Sequence, residues 1–224
     1  MSRFALRAAA LLAVAGLALA ACGNDKGAAP GLRAVKGVAG DLLKRGKDKA
    51  PPTPLTRAQL AGFNTPMLMA EVKTANVLLY LVPFGQNGGV ETWSTSDDRT
   101  LSFRDGVLVA TRGLGPDIMQ AEVPSRAQLA AGRGSHGRAY YYLDGNDKIR
   151  RQSWSCSLSD RGAETISVVG VQHMTRHVVE TCTGEGGEVT NEYWFEGGGY
   201  VRKSKELIMP EWGYAEVSRV VDKP

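Results

Sequence analysis

Beyond Pro54 the chain is built from short alternating apolar and polar runs, each closed within a few residues by Gly, Asp, Asn or Pro. That punctuation constrains the fold more than any other feature, because a period of two belongs to half-buried strands and the breakers leave little room for long helices. Strands are expected over 67–73, 76–82, 90–94, 100–104, 107–111, 138–143, 148–158, 164–171, 173–183, 188–195, 200–208 and 215–221. Asp105 and Gly106, between alternating apolar residues, carry the strongest hairpin signal. Turns are expected at 144–147, at Arg161 and Gly162, at 184–187 and at 197–199. Short helices are expected at 57–62, capped by Thr56, and at 125–131, with a helical turn near 117–120. Many strands with short connections give a mainly β chain: an antiparallel meander curled into a barrel-like or sandwich arrangement, with one or two short helices.

The N-terminus reads differently. Arg3 and Arg7 precede an apolar run from Ala8 to Ala21 that is too short to span a bilayer, which takes about 20 residues. The run ends Leu19, Ala20, Ala21, Cys22, the layout of a bacterial lipoprotein signal peptide. Residues 1–21 are then the signal, Cys22 the lipidated N-terminus, and the membrane contact an acyl group. An ordinary secretory signal beside an incidental cysteine is the alternative. Gly23 and Asn24 follow, with no aspartate at the second position, which favours the outer membrane, with the body facing the periplasm.

Residues 22–54 form a tether rich in Gly, Ala, Lys and Pro, ending in the stiff spacer Ala50 to Pro54. Leu32, Val35, Val38, Ala39, Leu42 and Leu43 recur at helical spacing, so a basic amphipathic helix competes with a disordered linker. Gly31, Gly37, Gly40 and Gly46 favour the linker, each costing about 1 kcal/mol in a helix. Residues 55–224 are long enough for one globular β-rich domain.

The formal net charge of +4 is local. Between Gly23 and Pro54 seven basic residues face three acidic ones, and the signal removes two more arginines, so the body is slightly acidic. A nucleic-acid binder needs basic clusters on its folded surface, and none is indicated.

With Cys22 lipidated, Cys156 and Cys182 are left in an oxidising compartment. A disulfide between them would contribute on the order of 3 kcal/mol. Two buried thiols are the other reading.

Catalytic motifs fail on context. Gly132, Gly134 and Gly137 spell a dinucleotide fingerprint, yet a helix precedes them and a strand follows, the reverse of a phosphate-binding turn. His173 and His177 have the spacing of two zinc ligands on a helix, but Met174 stands where a metalloprotease has its glutamate. In a strand they would lie about 13 Å apart. Ser135 and His136 lack the first glycine of a nucleophile elbow, Arg133 standing there. No catalytic residue, metal site or cofactor is indicated.

Aromatic residues are more suggestive. Alternation sends Tyr140 and Tyr142 to one face and Tyr141 to the other, so some ring meets solvent or a partner. Trp93, Tyr141, Trp194 and Trp212 are the candidate glycan or partner contacts.

One block is specific enough to compare: Glu91, Thr92, Trp93, Ser94, then Thr100 to Phe103, Asp105 to Leu108, and Thr111 to Gly115 with Asp117 and Ile118. With Asn191, Tyr193, Trp194, Gly199, Val201, Lys203, Ser204 and Pro210, it resembles the YjbF-type lipoproteins, the group that includes the group 4 capsule polysaccharide lipoprotein. The resemblance implies a non-enzymatic outer-membrane lipoprotein, an accessory factor in exopolysaccharide or capsule secretion or assembly. Its implied partners are the polysaccharide and export-machinery proteins, including a large barrel-like one. A structural envelope lipoprotein or chaperone, or a glycan-acting enzyme, are the alternatives.

Overall fold

The computed structural model describes residues 52–222 apart from 116, 145, 147, 186 and 211; the signal, Cys22 and most of the tether lie outside the described residues. The first element is a single helical turn, α1 (Arg57–Leu60), closed by a reciprocal capping box between Thr56 and Gln59. Twelve strands follow: β1 (Met67–Val72), β2 (Val77–Asn87), β3 (Val90–Ser94), β4 (Thr100–Arg104), β5 (Val107–Arg112), β6 (Ile118–Glu122), β7 (Ser135–Leu143), β8 (Ile149–Val168), β9 (Val171–Gly184), β10 (Gly187–Glu196), β11 (Tyr200–Met209) and β12 (Gly213–Val221). Between β6 and β7 lies α2 (Arg126–Ala131), with Ser125 and Gln128 forming its capping box.

Apart from β5 and β6, strands adjacent in sequence pair antiparallel, and β1 also pairs with β12, giving the order β5-β4-β3-β2-β1-β12-β11-β10-β9-β8-β7-β6. The sheet curls into a nearly closed barrel whose two edge strands, β5 and β6, meet. Side chains bridge that seam. The Ile118 amide donates to Thr111 Oγ1 at 3.0 Å, Thr111 donates to Asp117 at 2.8 Å, and Arg112 donates to the Ile118 carbonyl at 2.9 Å. Asp117 also accepts from the Gly113 and Leu114 amides, so both edges are covered without a shared ladder.

Asp105 and Gly106, both at positive φ, make the β4–β5 hairpin as their sequence demands. Two local expectations are corrected. The helical turn near 117–120 is strand β6, because Asp117 closes the loop and the following residues pair with β7. The turn at Arg161 and Gly162 is a bulge inside β8: Gly162 adopts φ +87 and donates to Asp160 at 2.8 Å, and the chain reverses later, at Val169 and Gly170.

Alternate residues fill the barrel. Leu68, Leu79, Leu81, Trp93, Leu101, Leu108, Tyr140, Tyr142, Trp154 and Val217 form one interior cluster, and Leu129 of α2 joins Val107, Val178, Tyr193 and Phe195 in a second. A third cluster lies on the other face of β1, β2 and β10. There the bent tip of the β8–β9 hairpin brings Ile166 and Val168 onto Met67, Tyr80, Val82 and Trp194, together with Leu55 and Leu60 from the N-terminal segment.

Candidate functional site

The interior holds a largely buried polar cluster. Glu180 accepts from His136 at 2.5 Å, from Asn191 at 2.6 Å and from Arg138 at 3.0 Å. Glu206 accepts from Tyr193 at 2.9 Å and from the Leu108 amide at 3.2 Å, with Arg138 3.6 Å away. Arg138 also donates to Tyr140 and Tyr193. Burial pushes the Glu180 carboxyl up, but Arg138, His136 and Asn191 outweigh it and hold it below the usual range. Burial also pushes Glu206 up, and there Arg138, Tyr193 and Leu108 offset it only in part. Divergent carboxyls are a signature of acid–base sites. This pair is buried and its oxygens are occupied by protein donors, so its role on this geometry is to fix the packing of β7, β9, β10 and β11.

Cys156 and Cys182 stand opposite each other on β8 and β9 and are joined, S–S 2.05 Å. The ligand atoms of His136, Cys156 and Glu180 lie within 4.8 Å of one another. With the Cys156 sulfur in the disulfide, no thiolate is offered to a metal. His173 and His177 are held by carboxylates: His173 by Glu196 at 2.8 Å, His177 by Glu164 at 2.9 Å and by Glu192 at 3.0 Å.

The outward side of β7, β8 and β9 is a different surface. While His136, Arg138, Tyr140, Trp154, Cys156 and Cys182 fill the interior, alternation leaves Ser135, Gly137 and Ala139 beside Ser157, Ser155 and Ser153, and these beside Thr181 and Thr183. Two open hollows share Gly137, Ser155 and Thr183. One, of about 400 Å³, extends to Glu122, Arg151 and Glu185; the other, of about 490 Å³, to Ser135, Ser157 and Thr181. Together they make a shallow groove of hydroxyls with charged groups at one end. Tyr141 stands beside that end, its ring 5.8 Å from the Arg151 guanidinium and its hydroxyl bonded to Glu122. Gly184, at the rim, has no room for a side chain: a Cβ would lie 2.3 Å from the Ser153 carbonyl oxygen.

The four aromatic candidates do not converge. Tyr141 faces outward, opposite to Tyr140 and Tyr142, as alternation requires. Trp93 is 4% exposed, inside the barrel, with the Arg219 guanidinium 5.4 Å from its ring centre. Trp194 is 8% exposed, stacked on His177 at 4.5 Å, below Lys203 and bonded to Glu164. Trp212 is half-buried, with its ring against Gly115. Alternation shows which rings share a face but not which face a distant hairpin covers, and so Trp194 is roofed. The hydroxyl groove was signalled by Ser153, Ser155, Ser157 and Ser159 at every second position, a pattern that aromatic residues overshadowed.

The profile of a family described as "Group 4 capsule polysaccharide lipoprotein gfcB, YjbF" matches residues 34–220. Among curated proteins none matches. Among solved structures the chain is similar to the hypothetical lipoprotein YmcC from Escherichia coli K12, with a TM-score of 0.66 and 16% identity over 76% of this chain and 90% of that one. That likeness is one of fold.

Proposed function

Because the chain belongs to the YjbF family of group 4 capsule polysaccharide lipoproteins, we propose that it is a non-enzymatic accessory factor in the secretion or assembly of an exopolysaccharide or capsule. On this reading residues 1–21 are removed, Cys22 is acylated, residues 22–54 are the tether, and the domain 55–224 is held at the outer membrane, facing the periplasm. It works there with the polymer and the export machinery, including a barrel-like partner. The observation that carries the proposal is the family match, which runs from the tether through β12. Two features of the fold support it. The barrel interior is filled, so polymer passes along the outside, and the outside carries a hydroxyl groove open enough for a sugar chain.

The test is a deletion strain in which surface and retained polymer are quantified, complemented with wild type or Gly137→Gln. A Cβ at Gly137 meets nothing within 4 Å, so this substitution obstructs the groove without disturbing the barrel. Deletion is expected to lower surface polymer and retain it in the envelope, and Gly137→Gln to complement poorly. Unchanged surface polymer on deletion overturns the proposal. Full complementation by Gly137→Gln removes the groove from it and leaves the envelope-chaperone reading.

A further inference from the structure

At the end of the barrel where β11 begins and β12 finishes, two arginines have contrasting surroundings. Arg202 is saturated: it donates to Glu196 at 2.5 Å, to Asp222 at 2.9 and 3.1 Å, to Tyr200, and to the Arg219 carbonyl at 3.1 Å. Glu196 is further committed to His173 and Tyr200. Arg219 has none of this. Its guanidinium lies 5.4 Å from the Trp93 ring centre and 5.9 Å from that of Tyr200, and among the described residues it has no hydrogen-bond or ion-pair partner.

Ser204, 2% exposed, lies beside Arg219. Arg219, Ser204 and Arg202, with Leu68, Phe103 and Val217, line a cavity of about 20 Å³. That is room for about one oxygen atom. Buried guanidinium groups normally find partners, and the five N–H donors of Arg219, its Cζ 5.4 Å and 5.9 Å from two ring centres, form a fork shaped for a carboxylate. Burial pushes Arg219 below the usual arginine value, and Glu91 and Asp222, too far away to bond it, offset that only in part.

We propose that Arg219 and Ser204 form a binding site for the carboxylate of an acidic sugar, with Trp93 and Tyr200 as its platform. One carboxylate oxygen enters the cavity toward Ser204 and the other meets the guanidinium edge. The half-buried Tyr200 ring, which the Arg202 guanidinium also approaches at 5.1 Å, offers its exposed part alongside to a sugar's C–H groups, and this favours a uronate over an acidic peptide. Trp93 thereby acts as a positioning residue, through Arg219. The choice of a sugar rests on the polysaccharide reading; the carboxylate preference rests on the geometry alone.

The experiment is a calorimetric titration of the full-length lipoprotein in detergent micelles with trigalacturonate, with its methyl ester, which is neutral and of nearly the same shape, and with maltotriose. The acid is expected to bind saturably, and the ester and maltotriose to bind at least about tenfold more weakly. Arg219→Gln is expected to weaken the acid by about tenfold or more, and Arg219→Lys, which keeps the charge and loses the fork, by an intermediate factor. Because the ester comparison uses wild-type protein, a variant that fails to fold does not spoil the test. Absence of acid binding, equal binding of acid and ester, or wild-type affinity in a folded Arg219→Gln overturns the site. The deletion strain separates this from the wider reading: reduced surface polymer without trigalacturonate binding removes the site alone, while trigalacturonate binding with unchanged surface polymer keeps the carboxylate site and removes its link to export.

Discussion

Glu180 and Glu206 reach the same guanidinium, that of Arg138, from two sides, and are driven in opposite directions. For Glu180, held below its unfolded value, the stabilisation is present above that value and lost as pH falls through the folded one. For Glu206, held above it, stability is fullest below the unfolded value near 4.5 and is lost as pH rises from there through the folded value. At neutral pH Glu180→Gln is therefore expected to cost about 3–5 kcal/mol, as in breaking a buried ion pair. Glu206→Gln should cost far less, and gain on wild type as pH rises past 4.5. Denaturant melts of both variants at pH 4 and 7 check the sign. A larger loss in Glu206→Gln at pH 7 would reverse the assignment.

The Cys156–Cys182 bond joins directly opposed strands, 26 residues apart in sequence. Cys156→Ala should lower stability by roughly 2–5 kcal/mol. Mass spectrometry of unreduced peptides from protein made in the periplasm should show the cross-link, and two alkylatable thiols there would contradict it.

Thr111 occupies the place of a ladder at the β5–β6 seam, accepting from Ile118 and donating to Asp117. Thr111→Val keeps the shape and strands a buried amide, at about 1–3 kcal/mol. Hydrogen exchange should quicken at Ile118 well before it does in β9 or β10. Uniform loss of protection would mean the seam is no weaker than the rest.

Cys22→Ser tests the proposed anchor. With the acyl acceptor gone, the protein should leave the outer-membrane fraction and take up no lipid label. Continued recovery of unlabelled protein in that fraction sinks the lipid anchor.

Much of the fold was legible because it is written in local chemistry. Asp105 and Gly106 can supply the left-handed pair a tight hairpin needs, Ser125 caps α2, and alternation through Tyr140, Tyr141 and Tyr142 assigns their faces. What was hidden is non-local. Gly162 has the composition of a turn, and only pairing with β9 on both sides makes it a bulge. Met119 and Gln120 carry no strong strand preference, and their segment is held extended by β7. Trp93 and Trp194 are aromatic to the sequence reader alike, but one lies under a guanidinium from β12 and the other under a histidine from β9, partners distant along the chain.

The placement of α1 has a mechanical consequence. The Leu55 amide donates to the Tyr80 hydroxyl at 2.6 Å, and Arg57 grips the Val220 carbonyl at 2.8 Å, so the segment leading in from the tether is fastened to β2 and β12. The hydroxyl-bearing strands β8 and β7 stand five and six places from β1 in a circuit of twelve. On the proposed tethering, a pull would be borne at β2 and β12, and the groove lies three to six strands away around the barrel. On the proposed anchoring, a groove so placed would stand clear of the fastened flank while a long molecule slides past it.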